Sequence, residues 1–222
     1  MTISTEFGKI ETLYERNEKF KVNVGQFKNR TYTLLKSWLW TEKVDGTNMR
    51  IIWQDKKLSF GGKTDTAQIP GDLLGQLYKD FTASMLESIF PDADAVIYGE
   101  GYGAGIQKGG GDYCPSKAFI AFDVCVITPP TDLVAGVTAP EGKWWLSYEN
   151  VCDVAGKLKI PVVPFIGEMT LEDATEFVHA GFKSRCAVNP NKMAEGLVGR
   201  PLETLYDKKG ARLITKLKTK DF

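Results

Sequence analysis

The octapeptide TEKVDGTN, Thr41–Asn48, follows the aromatic run KSWLW (36–40) and precedes the apolar run MRIIW (49–53). It therefore lies at or near a strand end or turn inside otherwise core-like sequence. Glu42, Lys43 and Asp45 stand there together, closed by Gly46. A solvated turn needs no such arrangement, whereas a reactive lysine held beside carboxylates does.

A lysine nucleophile must be neutral when it attacks, so its ordinary pKa of about 10.4 has to fall through burial or neighbouring cations. Carboxylates alone would raise it. Glu42 and Asp45 thus need another task or an accompanying metal. Attack on a phosphoryl group gives a phosphoramidate and calls for in-line geometry, cations on the phosphates and usually Mg²⁺. The rest of the chain should then supply carboxylates, basic groups and an aromatic face for a base.

Candidates for all three exist. Glu100 in VIYGEGYGAGIQK follows an apolar strand and enters a glycine-rich loop. Glu195 in AEGLVGRP places Glu-Gly at a strand start. Lys216 and Lys218 in LITKLKTKDF alternate and share one strand face. Phe119 in KAFIAFDV offers a ring. Each alone has a plainer reading: an exposed turn lysine for Lys43, core packing for Phe119, a solvated strand face for the two late lysines. The order and spacing of the whole set carry the argument.

That order resembles the covalent nucleotidyltransferases: DNA ligases, RNA ligases and capping guanylyltransferases. KVDG is similar to their motif KxDG, KAFIAFDV to their aromatic motif, EGLVGRP and TKLK to their later motifs. Asn48 stands where DNA ligases and capping enzymes usually carry arginine. EKVDGTN and GEGYGAGIQK resemble instead the RNA ligases of the ligase-2 type, found in phages and kinetoplastid RNA editing.

The resemblance implies an ATP-dependent RNA ligase with RNA 5′-phosphate and 3′-OH ends as partners and Mg²⁺ or Mn²⁺ as cofactor. Lys43 would become lysyl-AMP, with Asp45 beside it in the motif. Glu42 would read the adenine edge, Phe119 would stack on the ring, and Glu100 would bind ribose or orient the reaction. Glu195 would hold metal and Asn48 its water shell. Lys63, Lys216 and Lys218 would contact phosphates. Lys63 stands where the family usually has arginine, and lysine lacks the bidentate fork. A capping-type guanylyltransferase, a DNA ligase and a non-catalytic nucleotide- or RNA-end-binding module remain alternatives.

The implied fold is α+β, with two antiparallel β-sheets and flanking helices around a nucleotide groove. The expected organisation is one adenylyltransferase domain over 1–222 with no C-terminal OB or helical domain, so that a protein partner is a candidate source of RNA binding. Composition agrees with a globular chain: 222 residues, 43% hydrophobic, 25% charged, with zero formal net charge. Global charge gives no support for a nucleic-acid partner, and any RNA binding must rest on local basic residues and be salt-sensitive. The tail from Arg200 is mildly basic.

Cys114, Cys125, Cys152 and Cys186 form no CxxC pair, and His179 is the only histidine. A Cys/His zinc site is therefore not expected. Reduced thiols, a polar N-terminus and no long apolar run point to a cytoplasmic protein.

Strands are expected at 49–53, 57–60, 95–98, 118–127, 160–165, 196–198 and 213–217. Helices are expected near 72–90, 148–157 and 171–179, the last capped by Thr170 and stopped by Gly181. His179, at that helix's end, reads as a favourable partial charge. The stretch Thr128–Gly142 reads as a loop within one domain.

Overall fold

The computed structural model describes residues 4–127, 142–208 and 210–222; the expected loop at 128–142 lies outside them except for Gly142. In chain order the strands are β1 (Glu11–Thr12), β2 (Tyr14–Arg16), β3 (Val22–Phe27), β4 (Trp38–Lys43), β5 (Thr47–Gln54), β6 (Lys57–Gly61), β7 (Asp94–Gly103), β8 (Lys117–Ile127), β9 (Lys143–Trp145), β10 (Phe165–Met169), β11 (Gly196–Arg200) and β12 (Thr215–Lys218). The helices are α1 (Gly71–Asp80), α2 (Ala83–Ile89), α3 (Tyr148–Leu158) and α4 (Leu171–Ala180). The fold is α+β.

The chain forms two compact units, one of Met1–Phe7 with Gly46–Val162, the other of Gly8–Asp45 with Val163–Phe222. The division falls inside KVDG itself, after Asp45.

The first unit is a five-stranded antiparallel sheet in the order β6-β5-β7-β8-β9. Period-2 alternation sends Met49, Ile51 and Trp53 to one face. There they pack with Leu73, Leu77 and Phe81, with Leu86, and with Val151, Val154 and Leu158 of α3. Burying each such side chain contributes about 1.5–3 kcal/mol. The opposite register positions, Asn48, Arg50 and Ile52, form the other face.

The expected helix at 72–90 is two helices. Phe81 leaves the helical region at φ −123°, and the Thr82 hydroxyl then caps α2 by accepting from Met85 N. A capping threonine starts a helix more readily than it continues one.

In the second unit the sheet order is β1-β12-β11-β4-β10, with β2 and β3 as a separate hairpin. Only β1–β12 is parallel. Trp38 and Trp40 of β4, Leu197 of β11 and Leu217 of β12 pack against Leu171, Ala174 and Val178 of α4. Helix α4 begins as its sequence predicts: Thr170 Oγ1 accepts from Asp173 N at 3.1 Å, and Gly181 ends it at φ 76°. The His179 ring stacks on Phe222.

The strand expected at 160–165 is displaced. Val162 forms a single bridge to Ala121, and β10 starts at Phe165. Pro161 and Pro164 have no amide hydrogen to donate, so a continuous ladder cannot cross them. Among the described residues no helix is long and apolar enough to cross a membrane.

Candidate active site

In the second unit the sheet register brings the late lysines to the first one. Gly196 pairs with Lys43 on one side and with Lys218 on the other, and Val198 pairs with Thr41 and Lys216. Lys43, Lys216 and Lys218 therefore share the face opposite the α4 core. Glu195 enters at the end of this row. Its Oε2 lies 2.6 Å from Lys43 Nζ and its Oε1 lies 2.5 Å from Lys218 Nζ. The carboxylate is 12% exposed and the lysines 22% and 18%.

Gly196 makes this possible. A Cβ there would stand 2.0 Å from the Leu217 carbonyl oxygen, so only glycine lets β11 close on β12 at the point where Glu195 meets both lysines.

Electrostatics follow from this packing. Burial works to raise the Glu195 carboxyl, but the ion pairs with Lys43 and Lys218 outweigh it and hold the group below its ordinary value. Lys216 forms no such ion pair among the described residues, and Glu11 opposes its shift only weakly. Burial, then the charges of Lys218, Lys43 and Arg16, push its ammonium down to about 8. Arg16 itself pairs with Asp221.

Glu42, one residue before Lys43, points the other way along the strand and is 1% exposed. Its Oε1 accepts from Ser184 Oγ at 2.5 Å and from the Cys186 thiol, and its Oε2 accepts from Arg185 N at 2.7 Å. The same environment pushes the Cys186 thiol up to about 12, chiefly through burial. Asp45 follows in the turn and is half-buried.

In the first unit Asn48 pairs in register with Glu100, and Glu100 with Ile120. Asn48 Oδ1 is buried and accepts no hydrogen bond from the described residues. Gly46 packs so closely on β7 that a Cβ there would lie 2.2 Å from the Gly101 carbonyl oxygen. Its own carbonyl accepts from Gln107 Nε2 at 3.0 Å, which ties the GIQK loop to the end of KVDG.

Phe119 lies on the helix-covered face of its sheet. Its ring packs edge-on against Phe81 at 6.2 Å and belongs to the core with Met49 and Ile51. Core packing thus accounts for it without a nucleobase. Lys63 is exposed in the loop after β6. That loop is clamped by the buried Arg50, whose Nε donates to Gly62 O at 2.6 Å and whose Nη1 donates to Asp65 Oδ1 at 2.9 Å and Thr5 Oγ1 at 2.6 Å.

Among the described residues no group of three or more His, Cys, Asp or Glu side chains forms a metal cage. Mg²⁺ seldom requires one, since it keeps several waters and takes one or two protein oxygens beside substrate phosphates. The orphaned Asn48 Oδ1 in the first unit and the Glu195 carboxylate in the second are oxygen donors of that kind.

Sequence reasoning did not find Ser184, Arg185 and Cys186 as partners of Glu42, nor Arg50 as the clamp of the Lys63 loop. Arg50 left a trace, two positions after Asn48 on the same strand face. Ser184–Cys186 left none, because their contact with Glu42 spans about 140 residues of chain.

The family model for RNA ligase matches residues 36–218. Among solved structures, a variant RNA ligase from Naegleria gruberi with ATP and Mn superposes at a TM-score of 0.65 and 17% identity, covering 98% of this chain and 57% of that one. Another variant with AMP and Mn gives 0.64 and 15%, covering 98% and 56%. The same organism's RNA ligase with PPi gives 0.56 and 18%, covering 98% and 61%. At these identities the likeness shows the fold. The chain spans a little over half the length of those proteins. No curated protein matches its sequence.

Proposed function

The chain belongs to the RNA ligase family, and from that premise we propose that it is the adenylyltransferase domain of an ATP-dependent RNA ligase. Lys43 Nζ attacks the α-phosphorus of ATP, an N–P bond forms, the bond to the β-phosphate oxygen breaks and pyrophosphate leaves. AMP then passes from Lys43 to an RNA 5′-phosphate. A 3′-OH attacks that activated end, and AMP departs.

The observation that carries this reading is the ion-paired triad of Lys43, Glu195 and Lys218, assembled from three adjacent strands. Glu195 Oε2 engages Lys43 Nζ at 2.6 Å, so attack on the phosphorus requires this pair to open. The departing proton has Glu195 Oε2 as its nearest carboxylate acceptor.

Lys216 and Lys218 supply positive charge for the phosphates, and Lys63 does so from its clamped loop. Glu100, in register with Asn48, is the residue proposed to bind ribose or to orient the reaction. Asp45, two residues after Lys43 in KVDG, belongs to the proposed catalytic set with Lys43, Lys216 and Lys218. Glu195 in the second unit and Asn48 in the first are each taken, separately, as an oxygen donor to Mg²⁺ or Mn²⁺, directly or through water, and the ion would supply charge neutralisation on the triphosphate. Reading of the adenine edge by Glu42 requires its contacts with Ser184–Cys186 to give way or to be shared.

Incubation with ATP, GTP or NAD plus Mg²⁺, followed by intact mass, tests the proposal. An AMP adduct from ATP that is absent in Lys43→Ala supports it. An adduct from GTP turns the reading to a capping enzyme. No adduct from any nucleotide, in folded protein free of prior adenylation, overturns it.

A further inference from the structure

We propose that the hairpin 182–193 is an RNA-backbone contact, built onto the strand that carries the nucleophile. The inference rests on the RNA ligase reading and assigns a surface within it. Three observations carry it.

The first is charge. Between Gly181 and Ala194 the sequence FKSRCAVNPNKM contains Lys183, Arg185 and Lys192 and no acidic residue, within a chain of zero formal net charge. The second is exposure without neutralisation. Lys183 and Arg185 are exposed, and their heads bond to neutral acceptors: Lys183 Nζ to Asn191 Oδ1 at 3.0 Å, Arg185 Nη1 to the Phe165 carbonyl at 3.0 Å. Such contacts orient a cation and leave its charge for a phosphate. Exposed Val188 and Met193 beside them add apolar surface for sugars or bases.

The third is rigidity and placement. The hairpin closes on itself through Ser184 N to Lys192 O at 2.8 Å and Ala194 N to Phe182 O at 2.9 Å. Its base is fastened by the buried Glu42 carboxylate, which takes the Ser184 hydroxyl and the Arg185 amide. Glu42 immediately precedes Lys43, and only Ala194 separates the hairpin from Glu195. A buried carboxylate spent on holding a basic hairpin fixes that hairpin relative to the reacting lysine. A solvated surface loop has no need of this.

The test uses the whole chain with Lys183→Gln and Arg185→Gln combined, which leaves the Arg185 backbone amide in place. The probe is a 5′-phosphorylated single-stranded RNA, read by fluorescence anisotropy across a salt series. Losing two phosphate contacts should make the slope of log Kobs against log salt shallower by about 1.4. Lysyl-AMP formation should match the parent. The charge-retaining pair Lys183→Arg and Arg185→Lys should keep the parent slope.

An unchanged slope and affinity in the glutamine variant overturns the inference. So does an equal loss in the charge-retaining pair, which would mean that shape and not charge matters. If the parent forms no lysyl-AMP yet the glutamine variant still weakens RNA binding, the ligase reading fails and the hairpin assignment stands.

Discussion

Replacing Lys216 with Met should stabilise the protein near neutral pH. Burial and the neighbouring charges of Lys218, Lys43 and Arg16 lower the Lys216 ammonium from 10.5 to about 8. Below about pH 8 both folded and unfolded chains carry this proton, and the folded chain bears the full cost of the crowded charge. Between the two values the folded amine is neutral while the unfolded one is still charged. The unfolded state then binds more protons, and stability rises with pH. A fall of about 2.5 units sets an upper limit of about 3.4 kcal/mol. The side chain is only partly buried, so solvent screening reduces this to roughly 1–2 kcal/mol. Methionine keeps the stem that packs along the strand and removes the head. Urea unfolding at pH 7 should show the variant more stable by that amount, with a rise in Tm of about 2–4 °C per kcal/mol. At pH 9.5 the difference should shrink. The same variant should lose AMP transfer, since it lacks a cation for the phosphates. A variant no more stable at pH 7, or one whose advantage persists unchanged at pH 9.5, would refute the electrostatic argument.

Other outcomes follow from the same contacts. The Glu195 carboxyl is held low by its two lysines, so its contribution is full above the unfolded value of about 4.3 and is lost as pH falls through the folded one. Glu195→Gln should be less stable at pH 7 by about 1–3 kcal/mol and should show a flatter acid limb in urea midpoints taken from pH 7 to 3. Gly196→Ala puts a Cβ 2.0 Å from the Leu217 carbonyl oxygen, and should cost about 3 kcal/mol or more and lower lysyl-AMP yield. Unaltered Tm and yield would contradict the close approach of β11 and β12. Arg50→Lys cannot hold Gly62, Asp65 and Thr5 together, and should speed amide exchange across 61–66 while leaving the β11–β12 amides protected.

Local sequence alone determined the elements whose cause is local. Alternation at 49–53 makes a strand with one apolar face, and Thr170 with Glu172, Asp173 and Gly181 starts and stops α4. The candidate residues Lys43, Glu195, Lys216 and Lys218 were legible because motif order survives in the chain whatever the fold does. Local cues failed where a competing one was stronger: Pro161 and Pro164 displaced a strand, and Thr82 divided a helix.

Tertiary structure decided which face each candidate serves. Phe119 reads equally as a stacking platform or a core ring, and only the packing of α1 and Phe81 on its sheet makes it core. Glu42 and Lys43 are neighbours in sequence, yet strand alternation sends one to a buried hairpin contact and the other to Glu195. Register across β4, β11 and β12 brings residues more than 150 positions apart within hydrogen-bonding distance. Spacing along a chain carries no record of such a meeting, because it is set by which strands pair and by how closely a glycine lets them approach.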